Sequence, residues 1–265
     1  MPELAEVEFY RKQWNDGLKQ KILALHLHGA KRIFRGIDLS DFKKSLCGAT
    51  FLKSEAHGKQ MLFQFSGGNW LAIHLGMTGK LRIEKNDFRP AAHDHLALVQ
   101  KKRALVFSDP RQFGRVLFHH GKSQPDWWKR LPPALVSSKF TLTALGKFLQ
   151  RHGTAPIKAV LLLQNGFPGI GNWMADEILW QSQIHPRATA RKLNDVKRKI
   201  LYQKIQSVCR AALRIIGEDF SDPPPSWLFR HRWKKKGHCP KDHSVLLHAA
   251  IGGRTTCWCP TCQRL

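Results

Sequence analysis

Two features are scarce in this sequence: long apolar runs and acidic side chains. No apolar run approaches the roughly 18 residues that a membrane-spanning helix needs. The first eight residues, MPELAEVE, are acidic where a secretion signal would be basic and then apolar. Low-complexity segments and internal repeats are also missing. We therefore expect an intracellular protein, in the cytoplasm or nucleoid of a bacterium or in the nucleus of a eukaryote.

The shortage of acidic residues leaves a large excess of positive charge. The 19 Asp and Glu residues face 44 Lys and Arg residues, which gives a formal net charge of +25. An excess of this size favours a polyanionic partner, and nucleic acid is the commonest one. No basic amphipathic helix or lipidation signal indicates a membrane partner. The alternative is that the charge serves only solubility.

The hydrophobic pattern of the 265 residues changes along the chain. Leu4, Val7, Trp14 and Leu18 recur at helical spacing and predict an N-terminal helix. Residues 22–120 then contain short alternating or apolar runs that are separated by turn residues. Helix-length segments are missing between these runs, which argues against a parallel sheet. We expect a mostly antiparallel β-sandwich or flattened barrel in residues 1–120.

The second half of the chain has a helical pattern. A Pro- and Trp-containing stretch, residues 121–137, predicts a linker, and residues 138–225 predict a helical domain. Its long last helix is expected to begin after Asn194, a good N-cap, and to stop at Gly217. Residues 226–265 hold a cysteine cluster. The expected fold class is therefore α+β and multidomain.

The N-terminus offers a candidate nucleophile. Pro at position 2 allows removal of Met1, which exposes a secondary amine that is partly unprotonated at neutral pH. Such an amine can attack the anomeric carbon of a sugar and form a covalent imine. Glu3, the next residue, could donate and accept protons for that reaction. Taken alone the signal is weak, because many proteins begin with Met-Pro-Glu.

Several ordered segments resemble the formamidopyrimidine-DNA glycosylase and endonuclease VIII family of base-excision enzymes. MPELAEVE is similar to the MPELPEVE that begins this family. The similarity continues through Gly58-Lys59, IHLGMTGKLRI, His93-Asp94-His95, DPRQFG, PGIGNWMADEIL and GGRTTCWCPTCQ. Such order is hard to explain by chance. The resemblance implies a glycosylase with strand-cleaving lyase activity, an N-terminal β-sandwich, a helix–two-turn–helix domain and a C-terminal zinc-finger hairpin.

The resemblance also implies roles for single residues. Three residues would be catalytic: Pro2 as the nucleophile, Glu3 as the acid or base, and Lys59 as a compact cation that contacts phosphate and assists proton transfer. Six further residues would contact damaged double-stranded DNA: Met77, Arg111, Phe113, Lys158, Asn172 and Arg254. The first three match residues that fill the gap left when a damaged base leaves the duplex. Ordinary core packing would explain Met77 and Phe113 equally well if each were considered alone. The protein is expected to bind this DNA as a monomer.

The predicted zinc finger is irregular. The family has two Cys-x2-Cys pairs, but here only Cys259 and Cys262 form such a pair, and Asp242 follows Cys239 where a second cysteine is expected. We favour one structural Zn²⁺ held by Cys239, His243, Cys259 and Cys262, since Cys3His is a common set. His238, Asp242 and Cys257 are rival ligands. A zinc-free finger held by packing is the other alternative.

Two functional questions stay open at the level of sequence. In the oxidised-purine branch of the family a longer loop covers the displaced base, whereas residues 218–226 are few and contain three prolines. Ring-opened purines, oxidised pyrimidines and abasic sites are therefore all candidate substrates. The irregular finger also leaves room for a non-catalytic protein that binds damaged DNA with the same fold. A zinc-ribbon protein on ribosomal RNA would explain the charge but not the N-terminus.

Overall fold

The structure is a computed structural model that describes residues 1–29, 31–234 and 236–265. The chain divides into two compact units, Met1–Pro2 with Glu6–Leu131 and Glu3–Ala5 with Pro132–Leu265. Among the described residues no helix is both long and apolar enough to cross a bilayer. The helices are α1 (Leu4–Gln13), α2 (Leu39–Leu46), α3 (Asp126–Lys129), α4 (Leu142–Arg151), α5 (Ile157–Leu161), α6 (Asn172–Gln181) and α7 (Asp195–Asp219). The strands are β1 (Ala24–Leu27), β2 (Phe51–His57), β3 (Gln60–Phe65), β4 (Asn69–His74), β5 (Lys80–Lys85), β6 (Asp94–Val99), β7 (Arg103–Ser108), β8 (Arg115–His120), β9 (Leu247–Ile251) and β10 (Arg254–Trp258).

The first unit is the antiparallel β-sandwich that the sequence predicts. One sheet has the strand order β1-β6-β7-β5 and the other has the order β2-β3-β4-β8. Apolar side chains of both sheets share one core, and Trp14, directly after α1, is fully buried in it against Phe63 with 4.8 Å between ring centroids. The period-2 alternation of each strand sends these side chains to the inner face.

Two short helices lie where the sequence predicts none. Helix α2 interrupts the stretch that is expected to hold only strands, and the Asp38 side chain caps it by accepting from the Ser40 and Asp41 amides. Phe42 and Leu46, four residues apart, give α2 its buried face. Helix α3 lies inside the predicted linker, where Trp128 is buried in a cluster with apolar residues of β3 and β4.

The second unit contains the four helices α4 to α7. The N-cap predicted for α7 is confirmed, because the Asn194 side chain accepts from the Lys197 amide at 2.9 Å. The stop predicted at Gly217 is wrong. Gly217 is buried within the helix, which continues to Asp219 and ends at Phe220, whose φ of 65° is left-handed. Phe220 thus occupies the left-handed position at the helix end where glycine is usually preferred.

The hairpin predicted near the C-terminus is confirmed. Strands β9 and β10 pair antiparallel around Gly252 and Gly253, which both have positive φ. Such a two-residue turn favours glycine because other side chains are strained there. A Cβ on Gly252 would lie 2.6 Å from the Cβ of Ala159, so the turn lies directly against α5.

A buried carboxylate on α6 binds this hairpin to the helices. Asp176 is 1 % exposed and accepts hydrogen bonds from the Lys158 ammonium, from Nη2 and Nε of Arg232, and from the Cys257 amide at 3.1 Å. Both cations are also buried. Because a buried charge without partners is expensive, three separate segments are held around this one side chain.

The substitution Asp176→Asn tests that role in the second unit. It removes the only carboxylate between Lys158 and Arg232 in the described contacts, and we expect hairpin amides in residues 247–258 to exchange faster. A lost charge-assisted bond of about 1.5–3 kcal/mol corresponds to roughly ten- to a hundred-fold faster exchange in hydrogen–deuterium exchange mass spectrometry. Asp195→Asn is the control, since that side chain is 93 % exposed. Unchanged exchange in Asp176→Asn would contradict the assignment.

The neighbouring carboxyl group of α6, on Glu177, lies in an unusual environment. Glu177 is fully buried and accepts from Gln181 Nε2 at 2.8 Å and from the Phe229 amide at 3.0 Å. Burial raises the pKa of Glu177 to about 7, although these hydrogen bonds act in the opposite direction. The folded chain therefore binds a proton that the unfolded chain releases between pH 4.5 and about 7.

From that difference we expect the free energy of unfolding to fall as pH rises through this window. The unfolded state binds fewer protons there, so the slope is negative, and the loss is on the order of 3 kcal/mol. The substitution Glu177→Gln should remove this loss, as measured by urea denaturation at pH 5 and pH 8. The exposed Glu218→Gln is the control. A pH dependence that Glu177→Gln leaves unchanged would refute the assignment.

Candidate nucleic-acid interface and metal centre

The first candidate residues are Pro2 and Glu3 at the chain start. Pro2 is half-buried, and Glu3 is 3 % exposed. The Glu3 carboxylate accepts three backbone hydrogen bonds, from Gly171 at 3.0 Å, Trp173 at 3.0 Å and Met174 at 3.1 Å. These amides begin α6, where the helix dipole stabilises negative charge. Glu3 is thus fixed in position directly after the candidate nucleophile.

This arrangement explains the glycine that precedes α6. A Cβ on Gly171 would lie 2.2 Å from the Glu3 carboxyl carbon, so only glycine allows the carboxylate to approach. Free backbone amides at a helix N-terminus commonly bind a phosphate. Here the amides of Gly171, Trp173 and Met174 already bind Glu3.

Lys59 lies in the tight turn between β2 and β3, with a neighbour that sequence reasoning missed. Gly58 has a φ of 60° there, and Lys59 is half-buried. His74, at the end of β4, lies opposite Gln60 and accepts from the Gly76 amide through Nδ1 at 3.0 Å. Burial, and then the charge of Lys59, lower the pKa of His74. The imidazole is therefore neutral at pH 7, with its proton on Nε2.

Met77, Arg111 and Phe113 lie on two loops that are packed together in the first unit. Asp109, fully buried, joins these loops by accepting from Thr78 Oγ1 and from the Gly114 amide, both at 2.7 Å. The contact is so close that a Cβ on Gly76 would lie 2.4 Å from the Phe113 carbonyl carbon.

The side chains on these loops are available to a ligand. Phe113 is 51 % exposed, and Arg111 places its guanidinium 4.8 Å from the centre of the Phe113 ring. Core packing therefore does not explain Phe113. Met77 is half-buried and lies between Gly76 and Thr78, the two residues through which its loop contacts the loop of Phe113.

Lys158 differs from its predicted role as a phosphate contact. Its side chain is fully buried, and its ammonium donates to Asp176 and, at 2.7 Å, to the carbonyl oxygen of Asn172. Burial lowers the pKa of Lys158, while Asp176 raises it. Because the ammonium is enclosed and bonded to protein atoms, it is not available to a phosphate, and the predicted direct DNA contact is corrected. Lys158 instead holds the start of α6 from inside the protein.

Asn172 and Arg254 are brought to adjacent positions. Asn172 Nδ2 donates to the carbonyl oxygen of Thr255 at 2.8 Å, directly after Arg254. Arg254 is exposed at the first position of β10. The hairpin thus presents a guanidinium beside the first residue of α6.

Four potential metal ligands converge in the C-terminal segment. Ligand atoms of Cys239, Asp242, Cys259 and Cys262 all lie within 4.8 Å of one another. Asp242 Oδ2 is 2.9 Å from the Cys262 sulfur and 3.2 Å from the Cys259 sulfur. The favoured ligand His243 is instead exposed, with a left-handed φ of 60°. In the structure the fourth potential ligand beside the three cysteines is therefore Asp242, and not His243 as the sequence favoured.

The two remaining rivals lie outside the group of four. Cys257 faces the Asp176 cluster through its amide, and His238 is exposed. Neither joins the ligand atoms that converge in the described part of the chain.

The surroundings of the sulfur atoms fit a metal centre. The amides of Lys241 and Cys262 donate to the sulfur atoms of Cys239 and Cys259 at 3.4 and 3.2 Å, and the Trp180 indole also donates to Cys239 at 3.3 Å. Such donors stabilise thiolates, the form that binds metal. Three thiols and one carboxylate supply the four ligands of a tetrahedral zinc site.

The residues that sequence reasoning missed lie inside segments it had marked. His74 belongs to IHLGMTGKLRI, Asp109 to DPRQFG and Asp176 to PGIGNWMADEIL. Their position in those segments was the available signal. Asp109 binds Thr78, 31 residues away, and Asp176 binds the Cys257 amide, 81 residues away, so these contacts could not be read from the sequence.

Comparison with known families and proteins agrees with this architecture. The family model of the formamidopyrimidine-DNA glycosylase N-terminal domain matches residues 1–116, and that of the H2TH domain of the same enzyme matches residues 131–222. A formamidopyrimidine-DNA glycosylase of Thermus thermophilus is 32% identical over 99% of this chain and 98% of its own. One of Xanthomonas axonopodis pv. citri is 32% identical over the full length of both chains.

Solved structures give the same relationship. Lactococcus lactis formamidopyrimidine-DNA glycosylase in complex with DNA containing an oxidised pyrimidine matches with a TM-score of 0.89 and 26% identity, over 100% of both chains. A structure of the same enzyme bound to DNA with an abasic (AP) site matches with a TM-score of 0.87, also at 26% identity, over 99% of this chain and 100% of that one. The agreement of two family models, full-length relatives and fold shows that this chain belongs to the formamidopyrimidine-DNA glycosylase family.

Proposed function

We propose that this protein is a DNA glycosylase that removes oxidised or ring-opened bases from double-stranded DNA and then cleaves the strand as an AP lyase. The observation that carries the proposal is the Glu3 carboxylate, which three amides hold in place directly after Pro2. A protein that only binds DNA has no need of a fixed carboxylate beside an N-terminal proline.

The proposed reaction begins once Met1 has been removed. The lone pair of the Pro2 nitrogen attacks C1′ of the damaged nucleotide, and the electron pair of the glycosidic bond leaves with the base, which takes up a proton. The C1′–O4′ bond then opens with a proton moving to O4′, and an iminium ion forms between Pro2 and C1′. Loss of a C2′ proton expels the 3′ phosphate, and hydrolysis of the iminium frees Pro2. Glu3 is the proposed group for these proton transfers.

The other candidate residues are proposed to bind the DNA. Lys59 and the neutral His74 supply a cation and a hydrogen-bond donor for phosphate in the first unit. In the second unit Arg254 and Asn172 have the same task, since a guanidinium suits phosphate oxygens. Met77, Arg111 and Phe113 are proposed to fill the space that the displaced base leaves, which offsets part of the unstacking energy.

For the preferred lesion we propose only a chemical class, oxidised or ring-opened bases. The related Lactococcus lactis enzyme is recorded with DNA carrying an oxidised pyrimidine and with DNA carrying N7-benzyl-Fapy-dG. In this chain residues 218–226 are tied down, because Arg230 Nε and His231 Nε2 bind the carbonyl oxygens of Pro223 and Pro225 at 2.7 and 2.8 Å. A short, anchored segment favours a site that makes few contacts to the displaced base.

Trapping with borohydride tests the imine. We expect purified protein with a free Pro2 to give, on abasic-site duplex DNA with borohydride, a covalent adduct that maps to Pro2 by mass spectrometry. Reduction of the iminium to a stable amine is the physical reason. Glu3→Gln should slow base release from lesion DNA by about 10²- to 10⁴-fold, the usual contribution of a positioned acid or base.

The control for the trapping experiment is the same chain with two extra residues before Pro2. Its proline nitrogen is an amide and cannot react, so this chain should bind DNA without giving an adduct. If the protein with a free Pro2 binds abasic DNA and yields no adduct, the catalytic proposal fails. The alternative, a non-catalytic protein that binds damaged DNA, would then be favoured.

For the metal centre we propose one structural Zn²⁺ held by Cys239, Asp242, Cys259 and Cys262. A bound ion would cross-link two short loops of the C-terminal segment, and this stabilises a small module that has little core of its own. Asp242 is well placed because its other oxygen, Oδ1, accepts from the Ser244 amide at 2.9 Å and from the Ser244 hydroxyl. No catalytic step is assigned to the metal.

The ligand set can be tested by counting zinc. We expect about one zinc per chain in the wild type and in His243→Ala, and a marked loss in Asp242→Ala, as measured by elemental analysis after dialysis against a weak chelator. Asp242→Cys should retain zinc, because it completes a four-cysteine set. Zinc loss from His243→Ala with retention in Asp242→Ala would restore the ligand set that the sequence favoured.

A further inference from the structure

Trp233 is the most exposed aromatic side chain in the described part of the segment between α7 and the metal centre. Trp233 is 66% exposed, whereas its neighbour Arg232 is 5% exposed. An indole left in water forgoes much of the free energy that burying a large apolar side chain contributes. Trp233 has no role in the proposed catalysis, DNA contacts or zinc site.

The indole is held in place by the residue beneath it. The Arg232 guanidinium carbon lies 4.0 Å from the centre of the Trp233 ring, and the guanidinium itself is bound to Asp176. The carbonyl oxygen of Arg232 is also 2.9 Å from His248 Nε2. Because these contacts fix Arg232, the ring that rests on it gains a defined support. Little ordering is then required when a ligand binds to the ring.

The charge around the indole is positive. Lys234 and Lys236 are exposed and form no ion pair among the residues that the structure describes. An apolar partner surface would leave these two cations without counter-ions. A nucleic-acid strand instead offers phosphates to the lysines and flat bases to the ring, and aromatic side chains flanked by cations bind unpaired strands in this way.

We propose that Trp233 is a stacking platform for an unpaired nucleobase, and that Lys234 and Lys236 bind the phosphates of the same strand. This inference rests on the proposed function and extends it to the class of DNA that is bound. Bases inside a paired duplex are stacked on each other and present no free face. The protein therefore prefers DNA in which a short single-stranded segment lies near the damage.

The experiment compares full-length wild type with Trp233→Leu and Trp233→Phe on three fluorescein-labelled DNAs at one salt concentration. The DNAs are a fully paired duplex, the same duplex with a five-nucleotide unpaired bubble, and a single strand. Fluorescence polarisation should show that Trp233→Leu binds the bubble and the single strand roughly ten-fold more weakly, and the duplex less than two-fold more weakly. Trp233→Phe should retain most of the affinity, because it keeps an aromatic face.

A matched control comes from the hairpin. Leu247 is 44% exposed, so Leu247→Ala removes exposed apolar surface without removing a ring, and its binding to all three DNAs should equal that of the wild type. Equal losses on all three DNAs in Trp233→Leu, or no loss on any, would overturn the proposal. So would an equal loss in Trp233→Leu and Trp233→Phe, since bulk rather than stacking, or a protein partner, would then account for the residue.

The failure of this inference can be told apart from failure of the proposed function. Trp233→Leu should still form the borohydride adduct at Pro2 on saturating abasic-site duplex, because the indole takes no part in the chemistry. A wild-type protein that forms no adduct yet shows the bubble preference would refute the glycosylase proposal and keep the stacking platform. Adduct formation without any bubble preference would do the reverse.

Discussion

The buried carboxylate of Asp176 is the interaction on which most of the second unit depends. It lies between two buried cations, Lys158 and Arg232, and also accepts the Cys257 amide. Removing any one partner would leave an uncompensated charge in a region with little water, which is why such clusters hold separate segments in fixed positions. Through these contacts α5, α6 and the hairpin that carries Arg254 form one framework.

A second constraint is the occupancy of the first turn of α6 by Glu3. A helix N-terminus attracts anions, and phosphate is the common ligand in nucleic-acid-binding proteins. Here the chain supplies its own carboxylate, and Gly171 leaves room for it. The same helix that would bind phosphate instead fixes an acidic side chain beside the proposed nucleophile Pro2. The proposed DNA contacts in this unit are consequently made by Asn172 and Arg254.

Much of the fold could be predicted because it follows from local rules. Alternating apolar residues predicted the antiparallel sandwich, Asn194 predicted the start of α7, and the resemblance carried by GGRTTCWCPTCQ predicted the C-terminal hairpin. The failed predictions concern two helices: α2 was not predicted because it is short, and the helix that Gly217 was expected to stop continues to Asp219. Both depend on which face is buried, a property that tertiary packing decides.

The sequence by itself determined the family, the candidate nucleophile and the types of side chain available for DNA and metal. These follow from the identity and order of residues, which any fold of the chain must keep. Only the tertiary structure decided that Lys158 is enclosed, that Asp242 rather than His243 joins the three cysteines, and that Trp233 is exposed on a fixed support. Each outcome depends on partners that lie far apart in sequence, because burial and charge pairing are properties of the assembled chain.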